Sequence, residues 1–367
     1  MAANIEERNG QFSFAENGRK ERAWHGLGDE QQIFDRPMFV SEALKACHAD
    51  FEVGLQPIVS LTPEILSLIE RGENVSPFLL SKQIIEGKKA TMRLDYNEAL
   101  GIVSDTYGVV QNKHAFDFVD MLCSGKFADR DNTPVIETCG VLGNGERVFV
   151  TAKFPKQVVL DANRDDLMDM YVVITTSHDG TGAVRCVVTG VRCVCNNTLQ
   201  LALSNNIGRI SFRHSSRVME RMDLLNAENS KFAYNTLHLA EIYSKSLQES
   251  YEHLRSIKIS ESQLNDILAE VVLTEENKKI WDKTHNIETD DIPKRSRTIF
   301  LDMKNSIENG IGQDILETGN AQWVLNGMTT YFQNTVKYKD KTTKFDSIFD
   351  GNAFKKVQKT YNLLLAA

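Results

Sequence analysis

Between Tyr171 and Met222 the sequence reads YVVITTSHDGTGAVRCVVTGVRCVCNNTLQLALSNNIGRISFRHSSRVMERM, and this stretch decides the fold. The part from Tyr171 to Thr176 is rich in β-branched residues, and a second apolar run extends from Ala183 to Val188. Between them, His178-Asp179-Gly180 has the residue types of a tight turn. Two apolar runs that flank such a turn predict an antiparallel hairpin.

Gly190 is typical of a break after this hairpin, and the pattern predicts a third short strand over Val191–Cys195. The residues that follow, Asn196-Asn197-Thr198, are suited to capping a helix that begins at Leu199. The free backbone N–H groups at the start of that helix would form an anion site.

Arginines occupy every fourth position in the last part of the stretch, at Arg209, Arg213, Arg217 and Arg221. On a helix this spacing places them along one face, which would suit the phosphates of a nucleic acid. Phe212, Tyr107 and Tyr171 are the candidates for stacking on bases. The alternative is the solvated face of an ordinary amphipathic helix, and both interpretations remain open.

The rest of the chain is mixed in pattern before about residue 217 and helical after it. Further strands and hairpins are predicted before that point, one of them around the turn Gly143-Asn144-Gly145. The fold class is therefore α+β, an antiparallel hairpin-rich sheet followed by a mostly helical region. The predicted organisation is an N-terminal arm (1–30), an α+β core domain (31–216), a helical region (217–310) and a C-terminal segment that returns to the core (311–367).

Composition narrows the functional classes. The chain has 367 residues, 41% apolar and 25% charged, which is enough to bury a substantial core. Its formal net charge of −8 argues against a protein that coats duplex DNA by bulk electrostatics. A local basic strip on an acidic body remains compatible with this composition.

The location expected from the sequence is the cytoplasm, without a membrane partner. No apolar run approaches the length that spans a bilayer, and the N-terminal residues lack the hydrophobic stretch of a signal peptide. The six cysteines include the pair Cys193 and Cys195, but no Cys-x-x-Cys motif. Core packing is favoured over a zinc site, so we expect free thiols, no metal and no cofactor.

His178 and Asp179 are weak candidates for acid–base catalysis. A histidine beside a carboxylate is the residue pair of general acid–base chemistry, but neighbours in a turn usually point apart. The sequence has no Gly-x-Ser-x-Gly nucleophile motif, and Asp-Gly is typical of a tight hairpin turn. A structural role in the turn is the favoured interpretation of His178 and Asp179. Whether the protein is an enzyme stays open, and a non-enzymatic role is favoured.

Trp24 and Trp323 are predicted to be buried against the central sheet. They lie about 300 residues apart, each in a polar neighbourhood, and buried indoles are effective anchors for terminal segments. The alternative is an exposed indole that stacks on a base or fills a pocket in a partner.

Four motifs occur in order along the chain: Trp24-His25-Gly26-Leu27-Gly28, Ser177-His178-Asp179-Gly180, Val194-Cys195-Asn196-Asn197-Thr198-Leu199, and Trp323-x-x-x-Asn326-Gly327-Met328-Thr329-x-Tyr331. Together they resemble the phage/plasmid-like protein family, domain of unknown function 932. The resemblance implies residence on a phage, prophage or plasmid, and with it a location in the cytoplasm of a bacterial host cell. The plan of a hairpin-rich sheet followed by helices is similar to that of phage single-strand annealing proteins.

Three functional hypotheses follow. The first is a single-stranded nucleic-acid-binding or annealing-like protein, homo-oligomeric, in the replication or recombination of a mobile element. The second is a phage protein that binds a host protein, for counter-defence or host takeover. The third is a hydrolase-like enzyme that uses His178 and Asp179.

Overall fold

The structure, a computed structural model, describes residues 5–18, 32–126, 132–161, 166–192, 198–199, 209–218, 229–339, 343, 347–348 and 351–367. It has an antiparallel strand-rich first half and a helical second half, so the predicted α+β class is confirmed. No helix in these ranges combines the length and the apolar character needed to cross a bilayer.

Strands dominate as far as residue 212. In the described ranges they are β1 (Glu7–Arg8), β2 (Gln11–Phe12), β3 (Phe14–Asn17), β4 (Ile33–Phe34), β5 (Val53–Val59), β6 (Ile84–Arg93), β7 (Glu98–Ser104), β8 (Val135–Leu142), β9 (Arg147–Lys153), β10 (Val158–Asp161), β11 (Asp166–Ser177), β12 (Val184–Arg192), β13 (Thr198–Leu199) and β14 (Arg209–Phe212). The main sheet has the order β13-β12-β11-β9-β8-β3-β4, with β10 also paired to β11 and β14 to β12. A separate sheet has the order β5-β6-β7.

The helices described are α1 (Val40–Ala46), α2 (Pro63–Glu70), α3 (Pro77–Ser81), α4 (Asn112–Leu122), α5 (Asn229–Ser256), α6 (Glu261–Val272), α7 (Glu275–Thr284), α8 (Lys294–Asn309), α9 (Ala321–Thr330) and α10 (Asn352–Leu365). A π-helical turn, Tyr331–Thr335, extends α9. N-cap residues define where several of these helices begin. Thr62 and Ser260, for example, accept a hydrogen bond from a backbone N–H in the first turn of α2 and α6.

Alternation along the central strands decides which sheet face is covered. In β9, Val148, Val150 and Ala152 are fully buried, whereas the residues between them are half-buried. The buried set faces α1, α4 and α5, which pack on that side of the main sheet. This side is called the inner face, and the opposite side, on which Phe149 and Thr151 lie, is the outer face.

The hairpin β11–β12 confirms the strongest prediction, with one correction. Gly190 does not end the strand, because β12 continues through it and pairs Gly190 with Met170. A Cβ at position 190 would collide with the side chain of Met168, so the glycine leaves room for this side chain and does not form a turn. The turn Gly143-Asn144-Gly145 joins β8 to β9 as predicted, and both glycines have positive φ values.

The C-terminal helices enclose α9, in which every residue is buried. Trp323 is 9% exposed and belongs to one hydrophobic cluster with residues of the main sheet, so its predicted burial is confirmed. Its predicted position against the sheet is not, because α9 packs mainly against helices. The main contacts of α9 are with α5, α8 and α10. Gln322 connects this layer to the sheet, because its Nε2 donates to Asp166 Oδ2 over 3.0 Å. Trp24 lies outside the described residues.

Arg93 is the centre of a buried ionic cluster. Its side chain is 1% exposed, and Nη1 lies 2.7 Å from Oε1 of Glu6, which is 2% exposed. The guanidinium also donates to Asp95 and stacks over Phe51, with Cζ 3.9 Å from the ring centre. Nη1 donates further to the Asn144 carbonyl over 3.2 Å. The cluster therefore fixes the N-terminal strands, the β6–β7 hairpin and the β8–β9 turn to one another.

Candidate nucleic-acid interface

The first two arginines of the four-residue series lie on different local structure from that predicted. Arg209 begins strand β14, and Arg213 follows its end, so the predicted helix over this part is wrong. Strand β14 pairs antiparallel with β12, with Phe212 opposite Val184 and Arg209 opposite Val187. A spacing of four places residues on one side of a strand as well as on one face of a helix, so the arginine pattern alone could not distinguish the two.

The segment after β14 is held against the body by two residues. The ring of His214 stacks on Tyr107, with ring centres 4.9 Å apart and planes at 12°, and its Nδ1 lies 3.1 Å from the Gly108 carbonyl oxygen. Val218 is fully buried in the core. Gly108 approaches the Ser215 carbonyl so closely that a Cβ would collide with it. The backbone between β14 and Val218 is thus fixed by packing.

Arg213 and Arg217 point away from these anchors and are exposed. Within the described part of the chain, neither has an acidic partner in an ion pair. Arg185 lies opposite Ser211, and Arg209 opposite Val187, so both occupy outer-face positions of the neighbouring strands. These residues, Arg185, Arg209, Ser211, Arg213 and Arg217, are here called the β14 edge. Side-chain detail for Arg209, and the whole of Arg221, lie outside the described residues.

The predicted anion site before Leu199 is not built as expected. Thr198 and Leu199 form strand β13, which pairs with Val191 and Gly190, so no helix begins at Leu199. Antiparallel pairing with β12 has replaced the helix that the capping residues favoured. Asn196 and Asn197 lie outside the described residues, as do Cys193 and Cys195.

The aromatic candidates for base stacking are engaged within the protein. Phe212 packs against the hydrophobic core on the inner face. Tyr171 is 8% exposed, and its hydroxyl lies 3.4 Å from Glu137 Oε1. One face of Tyr107 is covered by His214, and its hydroxyl donates to the Ser177 carbonyl over 3.0 Å. The β14 edge therefore offers charge for phosphates, and these three rings do not form a stacking platform beside it.

His178 is fully buried, and its hydrogen bond is to a residue of the protein interior. Nε2 lies 2.8 Å from Asn112 Oδ1, while the amide nitrogen of Asn112 donates to the Ala49 carbonyl. Asn112 therefore acts as the acceptor, and Nε2 carries the hydrogen. Nδ1 is buried without a hydrogen-bond partner in the described structure. Burial, together with the nearby His214, lowers the pKa of His178 to about 3, so the imidazole is neutral.

Asp179 takes part in a separate set of hydrogen bonds. Its Oδ1 accepts from the Thr181 backbone N–H over 2.8 Å and from the Ser177 hydroxyl over 2.5 Å, which closes the hairpin turn. Burial alone would raise the pKa of the Asp179 carboxyl, but these hydrogen bonds outweigh it and lower the pKa. The backbone of Asp179 touches Gly101 of β7 so closely that a Cβ there would collide. These hydrogen bonds support a structural role for both His178 and Asp179.

The neutral state of His178 predicts acid sensitivity. The unfolded chain takes up a proton near pH 6.5, whereas the folded chain does not until about pH 3, so stability is full above pH 6.5 and falls as the pH drops. Between pH 6.5 and 5 this group should remove about 2 kcal/mol of unfolding free energy. Urea denaturation across this range measures the loss, which His178→Gln should reduce.

The control for that measurement is His253→Gln, which removes an exposed histidine on α5 and keeps the buried one. An unaltered acid loss in the His178→Gln variant would contradict the assignment. Among the described residues, no group of three or more His, Cys, Asp or Glu side chains is arranged to hold a metal ion.

Comparison with known proteins identifies the family but no function. No curated protein matches the chain, and no solved structure matches it. A domain of unknown function, DUF932, matches residues 99–350, which is more than half of the chain and includes β14 and α9. The chain therefore belongs to the DUF932 family.

Proposed function

We propose that this protein binds single-stranded nucleic acid through the β14 edge, in the replication or recombination of a phage or plasmid. The observation that supports the proposal is the pair Arg213 and Arg217. Both are exposed, both extend from backbone that is anchored by His214 and Val218, and neither has an ion-pair partner in the described structure. Arginines presented in this way suit phosphate oxygens, which accept bidentate hydrogen bonds.

The chemistry favours a narrow contact with one strand. The chain carries a net charge of −8, so a broad duplex would meet repulsion beyond the β14 edge. Because Phe212, Tyr107 and Tyr171 are engaged within the protein, the contacts are to phosphates, and sequence preference should be weak.

The double variant Arg213→Ala/Arg217→Ala should bind single-stranded DNA more weakly than the wild-type protein. Each phosphate contact on a single strand contributes about 0.7 to the slope of log affinity against log salt, so losing two should flatten the slope by about 1.4. Gel shifts with a labelled oligonucleotide at several salt concentrations measure both quantities. Thermal unfolding should be nearly unchanged, because exposed arginines contribute little to stability.

A matched control removes the same charge elsewhere. Lys294 and Arg295 are exposed at the start of α8, and Lys294→Ala/Arg295→Ala should retain the wild-type salt slope. Equal losses in the two double variants would mean that only net charge matters, which would refute the β14 edge as the site. A wild-type protein that does not shift single-stranded DNA even at low salt would refute the proposed function itself.

A further inference from the structure

Residues 54–90, here called the lobe, have almost no core of their own. The lobe comprises most of β5, the helices α2 and α3, and most of β6. It contains fourteen Val, Leu, Ile and Phe residues, yet Ile65 is the one residue of the lobe that is buried. Apolar side chains at this density are normally buried against other parts of a protein or against a partner. Their exposure in the lobe therefore indicates an interaction surface.

The large exposed apolar residues concentrate in and next to the segment between β5 and β6 that carries α2 and α3. Val59 pairs with Ile84, and the Ser60 N–H donates to the Gln83 carbonyl over 2.9 Å, so the chain that carries α2 and α3 leaves and re-enters the sheet at one point. On α2, Leu66 and Ile69 are three residues apart and both exposed, whereas Ile65 faces inward. The large exposed side chains here are Leu61, Leu66, Ile69, Phe78, Ile84 and Ile85, and this set is called the lobe tip.

The edge of the small sheet that belongs to the lobe, strand β5, is a poor site for a partner strand. Strand β5 is an edge strand, and the side-chain amide of Gln111 already bonds both the N–H and the carbonyl of Val53. Further along, Pro57 has no N–H to offer a partner strand. A partner would therefore meet the side chains of the lobe tip and not the backbone of β5.

Charge favours a second copy of the same chain as that partner. The lobe has four acidic residues, Glu64, Glu70, Glu73 and Glu86, and four basic ones, Arg71, Lys82, Lys88 and Lys89, so its net charge is zero. The whole chain carries −8. In a twofold dimer a surface faces its own copy, and a patch without net charge avoids the like-charge repulsion that other parts of this acidic protein would meet.

The exposed apolar area of the lobe tip is about the size that a homodimer interface needs. Each lobe-tip side chain exposes between 41% (Leu66) and 65% (Phe78) of its surface, so the six together offer apolar area on the order of 500 Å². A standard interface buries about 800 Å² on each partner, of which about 65% is apolar in homodimers. The lobe tip thus has about as much exposed apolar area as one partner contributes to such an interface.

We propose that the lobe tip is a self-association surface on which a second copy of this chain docks, burying the exposed faces of α2 and α3 against their counterparts. The proposal does not depend on nucleic-acid binding. It also involves a part of the chain that lies outside the range matched by the DUF932 family.

Sedimentation equilibrium without nucleic acid tests the proposal directly. At micromolar concentrations the wild-type protein should have twice the single-chain mass of 41.4 kDa. The double variant Ile69→Asp/Phe78→Asp should have the single-chain mass, because two carboxylates would be desolvated in each half of the interface. We expect its dimer dissociation constant to rise by at least about 100-fold. Circular dichroism should be unchanged, since both positions are exposed.

The matched control places the same charges on apolar residues outside the lobe. Leu301 and Ile311 are 43% and 55% exposed, and Leu301→Asp/Ile311→Asp should remain dimeric. A wild-type protein that keeps the single-chain mass at all concentrations would overturn the proposal. A dimer that persists in the Ile69→Asp/Phe78→Asp variant would overturn it equally, because association would then use another surface.

Discussion

Replacing Arg93 with alanine should lower the free energy of unfolding by about 3–5 kcal/mol. The guanidinium is 1% exposed, and its removal leaves the buried carboxylate of Glu6 with Arg8 as its remaining cationic partner, 2.6 Å away. The Asn144 carbonyl loses a donor, and the ring of Phe51 loses the cation that covers it. Buried charged groups cost most when one partner is deleted, since the other has already lost its hydration. Urea denaturation followed by circular dichroism measures the difference.

Arg36 provides the matched control, because the same pair of residue types forms the same kind of contact at the surface. Its Nη1 and Nη2 donate to the two carboxylate oxygens of Glu42 over 2.9 and 2.6 Å, but the arginine side chain is 50% exposed. Arg36→Ala should cost less than about 1 kcal/mol. If Arg93→Ala costs no more than Arg36→Ala, the buried cluster does not hold the N-terminal strands to the body.

Local chemistry was sufficient to predict the hairpins. Gly143-Asn144-Gly145 turns β8 into β9, and His178-Asp179-Gly180 follows β11, both as the residue types indicate. In each case the deciding contacts lie within a few residues of one another. Tight turns of this kind can be predicted from sequence because no distant partner competes with them.

Predictions failed where a distant partner decided the structure. Arg209–Phe212 has a helix-compatible spacing, but β12 was available for pairing, and burial of Phe212 opposite Val184 made the strand the better solution. The same competition removed the helix expected at Leu199. Gly190 had the appearance of a terminator, and its real role, allowing close approach of Met168, involves a residue on the neighbouring strand.

The sequence predicted which residues form the candidate site, but not the tertiary contacts that hold them or their exposure. Arg213 and Arg217 were identified from spacing, whereas their anchors, His214 on Tyr107 and the contact of Gly108 with Ser215, join segments about 100 residues apart. No single-sequence pattern reports such a contact. The exposure of the lobe tip was missed for a related reason. An apolar residue such as Phe78 looks the same in sequence whether a later segment covers it or leaves it open.

Replacing Trp323 with alanine should destabilise the whole protein by about 3–5 kcal/mol. The indole is buried within the continuous core, on a helix whose residues are all buried, so its deletion leaves a cavity that α5, α8 and α10 cannot close without moving. The urea midpoint should fall with little change in slope, because the surface exposed on unfolding stays the same. This result would support Trp323 as the anchor that returns the C-terminal segment to the core.

Trp323→Phe separates packing from hydrogen bonding. The indole N–H is buried without a partner in the described structure, so phenylalanine removes an unsatisfied donor while keeping most of the apolar volume. We expect this variant to lose less than half of what Trp323→Ala loses. Leu301→Ala, at an exposed position on α8, should change stability by about 0.5 kcal/mol or less. A Trp323→Ala variant as stable as Leu301→Ala would exclude the anchoring role and return Trp323 to consideration as a binding residue.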